Sequence, residues 1–288
     1  MNFVSSFLVF VEQFSLIMSV PTFDSFVTLL TGWVFARRRT VTGMIQAADA
    51  VGRKHHSAFH RVFAAARWSL DELGFVVFDL IRRWHSGRKP IMLALDDTLA
   101  RKRGLKIFGV GMHHDPLLST RKTAIVNWGH NWVVLGVIVR FPFDRTKCFC
   151  LPILFRLYIS RKTNQKRNRR HHTRPQLAVE MLQKLCQRHP DARFHVVADS
   201  TYGGQSVLKH LPNNCDLTSR SNMDARLYDA PPVRKPGTNG RPRKRGRRLP
   251  SPRRMLKERA TRLTLNIYGR RDRSRVVDRV SSLRPLAR

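Results

Sequence analysis

The sequence predicts an α/β protein. A helical N-terminal region precedes a mixed sheet built in the order β-β-β-α-β-α-β, and a basic segment with short strand-like runs follows it. Three observations carry this expectation. The apolar runs Ile91–Leu95 and Phe194–Ala198 each end on carboxylates, Asp96-Asp97 and Asp199. The apolar spacing changes from helical to strand-like at Gly87, and beyond Asp224 the composition turns strongly basic.

Residues 1–86 read as a helical domain. Phe3, Phe7, Phe10, Val11 and Phe14 recur at helical spacing, and Phe26, Leu29, Leu30 and Val34 repeat it. The Phe3–Met18 run lacks a positive leader, carries Glu12, and meets Pro21 and Asp24 too soon to span a bilayer, so it is expected as a core helix. Helices are expected over 40–51 and 57–68, the second with Val62, Phe63, Ala66 and Leu70 on one face, and over 71–84. Arg37-Arg38-Arg39, Arg53-Lys54 and Arg82-Arg83 suit DNA-backbone contact or a solvated helix surface equally.

Residues 87–220 read as the catalytic core. Strands are expected at 91–95, 131–141 and 149–158, a helix at 174–188 with Ala178, Met181, Leu182 and Leu185 inward, a strand at 194–198, a helix at 204–210 and a strand near 215–219. Two hairpin connections followed by helical crossovers is the layout of a ribonuclease H-like (RNase H-like) domain. In such a sheet the first and fourth strands are neighbours, which would set Asp96/Asp97 beside Asp199.

Residues 221–288 read as the start of a basic insertion. Between Arg234 and Lys257 there are eleven Lys or Arg and no acid. Arg241, Arg243, Lys244, Arg245, Arg247 and Arg248 form a run too charged to build a core, expected as a flexible DNA-binding loop. Residues 263–268 and 274–280 alternate as short strands.

Composition narrows the chemistry. The chain has 288 residues, 54 Lys and Arg against 19 Asp and Glu, and a formal charge of +35, which calls for a polyanionic partner. The four cysteines, Cys148, Cys150, Cys186 and Cys215, have no zinc spacing and read as reduced thiols of a cytosolic protein. No stretch reaches membrane-span length. The His55-His56…His60, His113-His114-Asp115 and His171-His172 groups likewise lack zinc spacing, and phosphate contact or a solvated loop is expected for them.

Carboxylates at strand ends are costly to desolvate without positive compensation, and a divalent metal supplies it where two converge. Phosphodiester chemistry uses such metals, held by carboxylates, at a scissile phosphate. Asp96, Asp97 and Asp199 are the candidate metal-binding and catalytic residues. Each also has a purely structural use, since Asp and Thr cap helices and turns. Neighbours on a strand face opposite sides, and alternation does not choose between Asp96 and Asp97.

At these residues the chain resembles bacterial insertion-sequence transposases of the DDE superfamily, of the DDE-endonuclease type with a β-rich insertion. The resemblance rests on Leu95-Asp96-Asp97-Thr98 with Arg101-Lys102-x-Gly104, Gly111-x-His113-His114-Asp115, Gly129-His130-Asn131-Trp132-Val133, Leu151-Pro152 before Leu157-Tyr158, Ala198-Asp199-x-x-Tyr202-Gly203 and Gly240-Arg241-Pro242-Arg243. It implies an enzyme that uses Mg²⁺, with Mn²⁺ as substitute, to cut double-stranded DNA at transposon ends and join them to target DNA. It further implies a bacterial, nucleoid-associated protein that is a homo-oligomer when full length. Asp199 matches the second acid of the triad and Asp96 or Asp97 the first; relatives with Asp-x-Thr favour Asp96. The family's third acid is a Glu on a helix beyond the insertion. Glu180 and Glu258, the only glutamates after residue 72, do not match its position. The chain therefore reads as a truncated or frame-shifted transposase of impaired activity. A non-catalytic DNA-binding remnant or inhibitor of the full-length enzyme is the alternative.

Overall fold

A computed structural model describes residues 3–83, 89–104, 106–120, 122–233, 237, 240–258, 260–267 and 270–276. Packing divides it into two units, Met1–Ser86 with Pro152–Phe155, and Gly87–Leu151 with Arg156–Arg288.

The first unit is helical. It comprises α1 (Phe3–Glu12), a 3-10 turn at Ser15–Ile17, α2 (Val20–Phe35), α3 (Val41–Ala47), α4 (His56–Ala64) and α5 (Leu70–Arg82). Its core gathers Leu29, Met44, Ile45, Ala50, Phe59 and Val62. The expected helix over 40–51 stops early because Asp49 adopts a positive φ of 50°. The Asp49 and Ala50 amides then donate to the Gln46 and Ile45 carbonyls, closing a Schellman-type end. α5 begins at Ser69, whose hydroxyl accepts from the Glu72 amide, with Asp71 and Glu72 complementing the helix dipole.

Several expectations for this unit are corrected. α1 enters the core only at its end: Leu8, Val9 and Phe10 are exposed, and burial begins at Val11 and continues at Phe14 beyond the helix. Val34, Phe63 and Leu70 are also exposed, the inward face of α4 being Phe59 and Val62. Helical spacing identifies an apolar stripe but not whether anything covers it. Among the described residues no helix is long and apolar enough to cross a membrane.

The second unit is built on a mixed sheet. Its strands are β1 (Ile91–Arg101), β2 (Gly111–His114), β3 (Val126–Phe141), β4 (Asp144–Tyr158), β5 (Phe194–Ala198) and β6 (Cys215–Ser219). The order is β2-β3-β1-β5-β6, with β4 also on β3. β1 is antiparallel to β3 and parallel to β5, and β5 is parallel to β6. Without the short β2, the order β4-β3-β1-β5-β6 is that of an RNase H-like sheet, with the first and fourth strands adjacent as expected.

The helix α6 (Arg161–Lys166) follows β4, and α7 (Arg174–Arg188) crosses from there to β5. α7 starts in a capping box, Thr173 and Gln176 each bonding the other's backbone amide, with Pro175 in the first turn. Ala178, Met181, Leu182 and Leu185 are fully buried on its inward face, as their spacing predicts. The sheet's inward residues are Ile91, Leu93 and Leu95 on β1, and Phe194, Val196 and Ala198 on β5. On the opposite face Met92 and Val197 remain exposed, at 37% and 40%.

β1, β3 and β4 run longer than the apolar pattern indicates, and β2 is an unexpected strand; its His113 is buried, not in a solvated loop. The helix α8 (Gln205–Leu208) ends two residues earlier than expected. Beyond it lie α9 (Pro252–Glu258), β7 (Thr261–Ile267) and β8 (Arg270–Val276), the last two an antiparallel hairpin. The expected strand residues 268 and 277–280 lie outside the described residues, as do 234–236 and 238–239 of the basic segment. The expectation of a flexible loop over 240–248 is corrected at its second half. Tyr228 bridges Arg248, the Asp229 and Leu249 amides donate to the Arg247 and Leu227 carbonyls, and the Arg245 guanidinium lies 4.8 Å from the Tyr228 ring centroid. Backbone pairing satisfies polar groups that the charged side chains leave untouched.

Candidate active site

β1 and β5 deliver the two carboxylates to one place. Their parallel register pairs Ile91 with Phe194 and ends at Leu95 with Ala198. The next residues on each chain are Asp96 and Asp199. Leu95 and Ala198 both face the buried side, so one residue further along both Asp side chains emerge on the opposite, exposed side.

Their electrostatics agree with that placement. Loss of surrounding water raises the Asp96 carboxyl above its ordinary range; the Asp97 amide, donating to Asp96 Oδ1 at 2.8 Å, opposes this, and the charges of Asp97 and Asp199 add to it. Asp199 is braced at the head of its turn, accepting from the Thr201 amide at 2.9 Å and the Thr201 hydroxyl at 3.2 Å. The capping use of Asp-Ser-Thr is thus real, and it fixes the carboxylate without burying it.

Asp97 points the other way. Its partner across β3 is the buried Val133, and Oδ2 accepts from Asn131 Nδ2 at 3.1 Å. Arg174, at the start of α7, brings Nε to 3.6 Å of the same oxygen and stacks its guanidinium 4.8 Å from the Tyr158 ring centroid. The fully buried Tyr202 belongs to the same cluster. Burial pushes its phenol well up, with the Asp97 charge next in effect. Burial chiefly, and the Arg174 charge secondly, push the His113 imidazole below its ordinary range. The geometry therefore separates two adjacent acids: Asp96 shares a face with Asp199, and Asp97 is a partly buried counter-ion that ties β1 to α7. Asn131, Arg174, Tyr202 and His113 were not singled out as site residues from the sequence. The signal for three of them was the short blocks His113-His114-Asp115, Gly129–Val133 and Ala198–Gly203, each carrying a polar residue that the fold turns inward.

The remaining acids considered from the sequence lie elsewhere. Asp115 is buried, accepting from Arg101 Nε and Asn127 Nδ2, both at 2.7 Å, and from the Leu117 and Leu118 amides. Glu180 pairs with Arg156 at 3.1 Å and Lys184 at 3.6 Å, and Glu258 with Arg254. Among the described residues no group of three or more His, Cys, Asp or Glu is placed to hold a metal. The chemistry of the Asp96–Asp199 pair still fits a hard divalent cation: two oxygen ligands face one side, and Asp96, raised chiefly by loss of water, also feels the charge of Asp199. Arg241, Arg243, Lys244, Arg245, Arg247 and Arg248 are all exposed. The four cysteines are free thiols, Cys186 and Cys215 buried.

A mixed sheet in this order, with acids at the ends of its adjacent parallel strands, defines an RNase H-like domain. Residues 23–277 match the family model for the DDE superfamily endonucleases, and the chain belongs to that family. A solved structure described as the Drosophila P element transposase strand transfer complex is similar at 12% identity and a TM-score of 0.31. The similarity covers 68% of this chain and 41% of that one, so the matched part spans less than half of that chain's length. No curated protein matches the sequence.

Proposed function

We propose that the chain is a DNA transposase, with Asp96 and Asp199 as carboxylates for a divalent metal at the scissile phosphate. The observation that carries this is the β1–β5 register, which brings two exposed acids to one face in a chain of charge +35. Bound there, Mg²⁺ or Mn²⁺ would supply Lewis-acid polarisation of the phosphate. The chain's own residues do the positioning. The Asp97 amide orients Asp96, Thr201 orients Asp199, and the Asp97–Arg174 pair fixes the β1 backbone behind them.

Double-stranded DNA, as transposon ends and target, is the partner we assign, with the exposed run Arg241–Arg248 as one contact. The described residues supply two of the acids a DDE centre uses, and Asp115 and Glu180 are committed to other partners. We therefore infer that the chain on its own binds DNA but joins strands poorly.

The experiment is a cleavage and joining assay on DNA carrying the element's ends, in Mg²⁺ and in Mn²⁺. Asp96→Asn and Asp199→Asn should each lower residual metal-dependent cleavage by about 10²–10³-fold at unchanged Tm. Asp97→Asn should instead lower Tm, because it leaves Arg174 without its counter-charge. Full activity in Asp96→Asn would overturn the assignment of the first acid. Robust joining by the unmodified chain would overturn the inference of impairment.

A further inference from the structure

The hairpin between β3 and β4 ends in a cluster of aromatic rings. Phe141 and Phe143 are stacked, their centroids 5.1 Å apart and their planes 9° from parallel. Phe149, on the returning strand, tilts against both at 5.3 and 6.4 Å. Pro142 stiffens the turn, and Phe143 is 81% exposed. A folded chain seldom presents a rigid aromatic face to water at a hairpin tip without a partner for it.

The surrounding charges indicate what that partner is. Arg140 is exposed and held against the strand by a bond from its Nε to Cys148 Sγ at 3.1 Å. Lys147, on the returning strand, is exposed as well. The one acid of the tip, Asp144, is spent locally on Lys147 at 3.1 Å and on the Thr146 amide and hydroxyl. A flat apolar face on a tip that also carries exposed cations, its only anion neutralised, complements a nucleobase and its adjoining phosphates. A second copy of this chain fits poorly, because pairing two tips would bring Arg140 and Lys147 against their own counterparts.

We infer that the β3–β4 tip stacks an unpaired nucleobase on Phe143, with the adjoining phosphates held by Arg140 and Lys147. Stacking on an aromatic face tolerates any base but requires that face to be free, which an intact duplex denies. The inference rests on the proposed action on DNA and extends it. β3 carries both functions: Val134 pairs with Asp96, and Phe141 lies seven residues further along. At about 3.4 Å per residue that is about 24 Å, or about seven base-pair steps. The tip would therefore hold a strand opened at a set distance from the cut, giving the DNA a register.

The test uses the full chain and three DNA probes of equal length: a blunt duplex, the same duplex with one bulged 2-aminopurine, and a single strand. The unmodified protein should bind the bulged duplex about tenfold more tightly than the blunt one and quench the 2-aminopurine. Phe143→Ala should lose both effects, with blunt-duplex affinity and Tm unchanged, and Phe143→Trp should keep them. A Phe143→Ala protein that retains the preference, or that weakens on all three probes alike, overturns the inference. So does a Phe143→Ala protein whose only change is in sedimentation, which would make the tip an interface between copies. Failure of the underlying reading has a separate signature: no salt-sensitive binding of the unmodified protein to the blunt duplex.

Discussion

Asp115 and Asp96 show how position sets the use of one side chain. Both lie on or beside a strand of the same sheet. Asp115 is buried and meets four donors, Arg101 foremost, which hold its carboxyl far below the usual carboxylate range. Asp96 has lost water and meets one amide and two like charges, and its carboxyl is raised, chiefly by the loss of water. Satisfying every lone pair of a buried acid makes a structural anchor; leaving them open at a rim makes a ligand. Stability should follow the sign of the Asp115 shift. Its folded carboxyl is depressed, so its contribution is complete above the unfolded value and lost as pH falls through the folded one. Asp115→Asn should therefore lower Tm by several degrees at neutral pH. The gap from the unmodified protein should hold down to about pH 4 and narrow below it. Thermal melts of both proteins from pH 7 downward check this, and a gap that widened toward acid would contradict it.

At the level of elements, close approach decides what the backbone permits. α2 and α3 pack so tightly at Gly32 that a Cβ there would collide with the Met44 carbonyl. Backbone cannot step aside as a side-chain tip can, so Gly32→Ala should force the helices apart and cost about 1–3 kcal/mol, read as a lowered midpoint in urea. An unchanged midpoint would show that the pair slides freely. Such contacts are invisible in a sequence, whereas the sheet was largely legible. Strands 91–95, 194–198 and 215–219 stand out because apolar alternation and β-branched residues run straight into acids or polar turns. The additional lengths of β1 and β3 did not stand out, because Asp97–Arg101 and Asn127–His130 mix polar and apolar residues without alternation; pairing with neighbouring strands holds them extended. The choice between Asp96 and Asp97 was out of reach for a related reason. Alternation places them on opposite faces, but only the register with β5 says which face Asp199 shares. The partners of Asp97 come from β3, α7 and the turn after β5, far apart along the chain, and no spacing rule reports that convergence.

Over the whole molecule positive charge far outweighs negative, and the basic segment tests how that excess is used. Of its six cations, Arg245 is partly engaged with Tyr228, a contact worth about 0.5–1 kcal/mol at an exposed site. The remaining five have no acid nearby in sequence to neutralise them. Each phosphate they neutralise releases condensed counter-ions, contributing about 0.9 to the slope of log affinity against log salt on duplex DNA. Replacing Arg241, Arg243, Lys244, Arg245, Arg247 and Arg248 together by Gln should therefore flatten that slope by up to about 5. The pairing of Leu227–Asp229 with Arg247–Leu249 runs through backbone groups and survives the change, so the variant should stay folded. Deleting the segment would break that pairing and confuse lost contact with lost structure. Binding isotherms at a series of salt concentrations, with thermal melts beside them, separate the two. A slope unmoved by the six substitutions would place the DNA on other basic surfaces, with Arg37–Arg39 the next run to replace. A slope reduced by only one or two would mean that most of these cations stay hydrated when DNA is bound.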